Sequence, residues 1–171
     1  MSKVYLLSGD VTNIVRVDAL ITLINPEGNW YGGVDFAIMK VAGNQYHDQA
    51  EKILDDSGLE NGQVIIAKLK KTHPGNFAHV IFVVDDVKSS PLSDLVYTGL
   101  CAANDQGYQH VALPLMRTGV MLGVVEPTLE VTLDQMILGI DKFKKLKSKM
   151  VINIVVYKDA QSFFYLMAKL K

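Results

Sequence analysis

Cysteine is nearly absent from this chain: its 171 residues include one, Cys101, so no internal disulfide can form. Cys101 lies in the apolar helical run 95–103, a setting that suits a buried structural thiol in a reducing compartment better than a reactive one. An excess of positive charge is also missing. Seventeen basic against eighteen acidic residues leave a net charge of −1, so no field draws the chain to nucleic acid or to an anionic membrane, and an anionic ligand must be recognised locally. The one basic run, Lys142, Lys144, Lys145, Lys147 and Lys149, reads as a solvated helix end that complements the dipole, with an RNA-binding patch as the lesser reading. No apolar stretch is long enough to span a bilayer, and residues 1–5 run into a strand with no secretory apolar region before them. The expectation is a cytoplasmic protein without a membrane partner.

Other chemistries lack their parts. His47, His73, His79 and His110 are scattered, without cysteine or carboxylate partners at metal-ligand spacing, so neither a metal site nor a cofactor is expected. Neither a phosphate loop ending in Gly-Lys-Ser/Thr nor a serine nucleophile elbow occurs. There is no internal repeat, low-complexity tract or linker. With 49% hydrophobic and 20% charged residues, the chain is expected to form one domain over residues 1–171, large enough to bury a core.

What is present is alternation. Strand patterns at 4–8, 19–25, 64–70, 79–84, 110–115 and 152–157 are interleaved with helical patterns at 34–43, 46–56, 91–106, 127–144 and 161–170. The pair 64–70 and 79–84 is joined by the turn-rich Thr72-His73-Pro74-Gly75-Asn76, which suits a hairpin. Such an order predicts an α/β fold, a three-layer α/β/α sandwich around a mixed, mostly parallel sheet. In such sheets ligands bind beyond the carboxyl ends of the strands.

Those ends carry the informative residues. The apolar strand Ala19-Leu20-Ile21-Thr22-Leu23-Ile24 passes through Asn25-Pro26-Glu27-Gly28-Asn29-Trp30-Tyr31-Gly32-Gly33 into a helix marked by Val34, Ile38, Val41 and Ala42. Gly32 and Gly33 admit a bulky ligand close to the backbone, and the open N–H groups of a first helical turn attract an anion. A second strand-to-helix loop, Pro114-Leu115-Met116-Arg117-Thr118-Gly119-Val120-Met121-Leu122-Gly123, is placed to close on the other side of the same diphosphate. Gly9-Asp10 and Tyr157 stand at two further strand ends.

Together Gly9-Asp10-Val11-Thr12, Val17-Asp18-Ala19-Leu20-Ile21 leading to Asn25, Gly32-Gly33-Val34-Asp35-Phe36-Ala37-Ile38, Ala42-Gly43, and Pro114 with Thr118-Gly119-Val120 resemble the ordered motif set of the macro domains, over residues 4–157. The resemblance implies binding of ADP-ribose or a derivative, and of ADP-ribosylated protein as partner. It also implies processing of the Appr-1-p type or removal of ADP-ribose from modified proteins, with a non-catalytic reader, or a phosphatase acting on ADP-ribose 1″-phosphate, as alternatives. On this likeness Asp10 accepts from the adenine amino group with Val11 N–H beside it, and Tyr157 lies against the ring. Gly32, Gly33, Val34, Thr118, Gly119, Val120 and Met121 form the diphosphate cradle. Asn25 pairs with the distal ribose, and Asp35 orients or activates a water at the anomeric carbon and stabilises an oxocarbenium ion.

The chain departs from the family pattern at Thr22, where an asparagine is usual, and at Tyr31, in place of a third glycine. Further departures are Met39 and Phe82 in place of histidines, Asp85-Asp86 in place of Gly-Pro, and Arg117 and Met121 in the second loop. Binding tolerates these changes better than catalysis. Each residue also has a plain reading: Asp10 as an N-cap, Asn25 as a turn opener before Pro26, Gly32-Gly33 as a tight turn, Asp35 as a dipole-favoured acid, and Tyr157 as a packing residue. Trp30 and Tyr31 either cover the ligand or fold back on the core.

Overall fold

A computed structural model describes residues 1–28 and 32–170; the expected lid residues Trp30 and Tyr31 lie outside them. The elements run β1 (Lys3–Ser8), β2 (Val17–Ile24), α1 (Gly33–Ala42), α2 (Gln45–Ser57), β3 (Val64–Ala67), β4 (Phe77–Val84), α3 (Leu92–Asp105), β5 (His110–Pro114), α4 (Leu129–Lys144), β6 (Val151–Val156) and α5 (Ala160–Lys169). The six strands form one sheet in the order β1-β6-β5-β2-β4-β3. Every pairing is parallel except the β3–β4 hairpin, so the sheet is mixed and mostly parallel, as the alternation predicts.

The strands are apolar on both faces because both are covered. Along β2, Ala19 and Ile21 face one core while Leu20 and Ile24 face the other, and β4 repeats this with Ile81 and Val83 against Val80, Phe82 and Val84. The first core is closed by Leu95 and Leu100 of α3, Leu133 and Ile140 of α4 and Leu166 of α5. The second is closed by Ile38 of α1 and by Tyr46 and Ala50 of α2. Close approach of α3 and α4 depends on Gly139, where an added Cβ would stand 2.6 Å from the Ser93 carbonyl oxygen.

Two boundaries differ from the sequence reading for local reasons. The strand expected over 64–70 leaves the ladder after Ala67 because side-chain amides of α2 replace the neighbouring strand. Gln49 Oε1 accepts from Lys68 N–H at 2.9 Å and Gln45 Oε1 accepts from Lys70 and Lys71 N–H at 2.9 and 3.0 Å. The helix expected from residue 127 starts at Leu129, since Thr128 takes the N-cap position and its hydroxyl accepts from Val131 N–H at 3.2 Å. Pro127 therefore precedes the cap. The second helix ends at Gly58, whose φ of 75° suits glycine.

The turn between β3 and β4 is tied to α2 by a hydrogen-bond chain. His73 Nδ1 accepts from Gly75 N–H at 3.1 Å, which leaves its Nε2–H to donate to the Tyr46 hydroxyl at 2.8 Å, and that hydroxyl donates to the Ala78 carbonyl at 2.6 Å. Burial pushes the Tyr46 hydroxyl up to about 12 and the His73 imidazole below its ordinary value. A histidine lowered in the folded state contributes stability that is full above its unfolded value and is lost as pH falls through the folded one. Urea unfolding at about pH 7.5 and about pH 5 is expected to show a larger loss for wild type than for His73→Gln, which cannot titrate.

Candidate ligand-binding site

The sheet order places β2 beside β5, and the two connections leaving their carboxyl ends pass to opposite faces: the loop after β2 to α1, the loop after β5 to α4. This reversal opens a crevice between the loops, the usual place for a ligand in an open α/β sheet. Two adjoining cavities fill it. One, of about 530 Å³, is lined by Gly9, Asp10, Val11, Gly33, Val34 and Tyr157 among others. The other, of about 210 Å³, is lined by Thr22, Gly33, Val34, Asp35, Asp85, Arg117 and residues 118–121. Gly33 and Val34 belong to both walls, so the cavities are two ends of one trough.

Its floor is main chain. Gly32 occupies the N-cap of α1 at φ 87°, where a side chain would be strained, and no side chain caps the helix. The ladder begins with Phe36 N–H to the Gly32 carbonyl, leaving the N–H groups of Gly33 and Val34 without acceptors inside the helix. A Cβ added at Gly33 would meet nothing within 4 Å among the described residues. The opposite wall is the turn at 118–124, closed by Leu122 N–H to the Gly119 carbonyl at 3.0 Å, with Val120 79% exposed on its crest.

At the wider end, Asp10 Oδ1 accepts from both the N–H and the hydroxyl of Thr12 at 2.8 and 2.7 Å. Asp10 does act as a cap, and none of the described residues donates to its Oδ2. Tyr157 is 61% exposed and lines the cavity, as does Phe36 at 67%. The structure thus brings Asp10, Val11, Gly33, Val34, Thr118, Gly119, Val120, Met121 and Tyr157 around one trough. Asn25 is buried just after β2, where its carbonyl accepts from Gly28 N–H at 3.1 Å, and it lines neither cavity. Gly32 is likewise outside both linings.

At the narrower end the structure shows two pairings that the sequence reading did not give. His47, on α2, places Nε2 3.3 Å from Asp35 Oδ1, with both side chains buried. Arg117 and Asp85, two of the departures from the family pattern, pair with each other. Arg117 Nε and Nη2 donate to the two Asp85 oxygens at 3.0 and 2.7 Å, and Nη1 donates to both Glu126 oxygens at 2.7 and 2.9 Å. Nη2 also reaches the Ser90 carbonyl at 3.0 Å. Burial opposes the guanidinium charge, but the hydrogen bonds and charges of Asp85 and Glu126 outweigh it and raise the Arg117 pKa. This network fixes Arg117 at φ 58°, a conformation that side chains rarely adopt. It thereby sets the start of the second loop.

A larger groove, of about 610 Å³, lies at the amino ends of β2, β4 and β5 among Arg16, Asp18, His73 and His110. Two of its polar side chains are engaged in structural bonds: Asp18 Oδ2 accepts from Gln109 and His110 N–H at 2.8 and 2.9 Å, and His73 is held as described above. Size alone does not mark the site.

Comparison with known proteins agrees with this geometry. The family model described as Macro domain matches residues 23–132, more than half of the chain. The chain is 27% identical over 141 residues to an uncharacterized protein of Fusobacterium nucleatum, covering 80% of this chain and 79% of that one. It is also 27% identical over 124 residues to an O-acetyl-ADP-ribose deacetylase of Citrobacter rodentium, covering 70% of each. The fold superposes on the Oceanobacillus iheyensis macrodomain with ADP at a TM-score of 0.78, with 17% identity over 96% of this chain and 88% of that one. The chain belongs to the macro domain family.

Proposed function

We propose that this protein binds ADP-ribose or an ADP-ribose derivative along the trough, and that residues 1–171 act as one cytoplasmic domain. The observation that carries the reading is the shared wall. Gly33 and Val34 offer first-turn N–H groups where the two cavities meet, opposite the 118–121 turn, so a diphosphate seated there sends its adenosine to one end and its terminal ribose to the other. Asp10, Val11 and Tyr157 receive the adenine. Thr22 and Asp35 line the ribose side. A relative named for deacetylating O-acetyl-ADP-ribose and a structural neighbour holding ADP support the same ligand class.

Asp35 lines the distal cavity while His47 fixes its carboxylate. That arrangement suits orienting a water against the terminal ribose or its substituent, the reaction expected of an ADP-ribosyl hydrolase acting on ADP-ribosylated protein. The second reading, a reader that captures ADP-ribosylated protein without turnover, is favoured by Thr22 and Phe82, which supply no titratable group at this end. Asp35→Asn separates the two. The hydrolase reading expects turnover to fall by about 10²–10⁴-fold while ADP-ribose affinity changes less than about threefold. Calorimetry and a release assay on ADP-ribosylated protein measure both quantities, and a wild type that binds but releases nothing selects the reader.

A further inference from the structure

Among the described residues, the one cation lining the distal end of the trough is Arg117, and it is held by carboxylates. All three guanidinium nitrogens of Arg117 donate to Asp85, Glu126 or the Ser90 carbonyl, and its side chain is 2% exposed. The carboxylates outnumber it: Asp85 and Glu126 surround the guanidinium, and Asp35 lies in the wall of the same cavity. With His47 neutral the cluster carries two negative charges in excess, and with His47 protonated it still carries one. The side chains concerned are at most 6% exposed, so water and salt screen them weakly.

The diphosphate position differs in kind. There the ligand meets the open N–H groups of Gly33 and Val34, whereas beyond it the wall offers carboxylates and the Thr22 hydroxyl. From this contrast we propose that the distal end admits ADP-ribose whose terminal ribose is free or bears an uncharged substituent, such as an acyl ester, and excludes ADP-ribose carrying a second phosphate there. The inference rests on the proposed ADP-ribose binding and narrows its substrate class. Like charges brought together in a poorly screened site disfavour the wrong ligand more than missing contacts do. The phosphatase alternative for this chain is correspondingly set aside.

Calorimetric titration of the wild-type protein with ADP-ribose and with ADP-ribose 1″-phosphate tests this. The phosphorylated ligand is expected to bind at least about tenfold more weakly, roughly 1.4 kcal/mol. Glu126→Gln and Asp85→Asn, which remove one charge each and keep the shape, are expected to narrow that gap. Equal or tighter binding of the phosphorylated ligand by wild type overturns the inference and leaves ADP-ribose binding standing. A gap unchanged in both variants overturns it as well, because the charges then do not cause the discrimination. Binding of neither ligand refutes the parent reading and this one together.

Discussion

Gly33→Val is expected to weaken ADP-ribose binding by about 100-fold or more, roughly 2.8 kcal/mol, while the protein remains folded. Gly33 lies in the wall common to both cavities, and a Cβ there would meet nothing within 4 Å among the described residues. The added side chain is therefore expected to enter the space assigned to the diphosphate. Valine in a first helical turn loses little, and the unfolded chain loses glycine's freedom, so stability is expected to stay within about 1 kcal/mol of the parent. Calorimetry and urea unfolding of one preparation read the two effects separately. Lost affinity accompanied by an equal loss of stability would mean that Gly33 serves the fold and not the ligand.

Arg117→Met is expected to do the opposite, damaging the fold first. The substitution keeps much of the side-chain length but strips the counter-charge from Asp85 and Glu126, whose side chains are 4% and 5% exposed. Removing one partner of a buried ion pair costs about 3–5 kcal/mol, because the remaining charge is left without compensation. The left-handed backbone at residue 117 also loses the bonds that hold it. Replacing Asp85 by Asn and Glu126 by Gln in the same variant is expected to return most of the stability, since no orphaned charge then remains. Denaturant unfolding of the single and triple variants measures this. If the single variant is as stable as wild type, the network contributes nothing to the second loop.

The contrast between these residues indicates how far the sequence could be read. The unbroken apolar run 19–24 marked β2 as a buried strand, and adjacent glycines before an apolar helical pattern marked the first loop, because both signals are local. The Arg117 network was hidden for the opposite reason: Asp85 and Glu126 lie 32 and 9 residues away from it in sequence. Read one at a time, Asp85 and Arg117 were unusual residues in familiar motifs, and Glu126 drew no attention. Together they are a compensated set, and the paired change of Asp85 and Arg117 was the one available signal. The His47–Asp35 contact joins two helices across 12 residues, a separation at which no helical or strand period places side chains together. Likewise β3 stops at Ala67 because of Gln45 and Gln49 on α2, and nothing within the 64–70 run encodes that.

The decisive measurement is amide chemical-shift mapping of the uniformly ¹⁵N-labelled protein during titration with ADP-ribose, since the central claim is that main-chain N–H groups from two converging loops grip the ligand. The account predicts that the largest changes fall on Gly33 and Val34 and on residues 118–121, with smaller ones at Val11. Saturable changes confined to the groove around Arg16, His73 and His110, or no change at millimolar ligand, would contradict it.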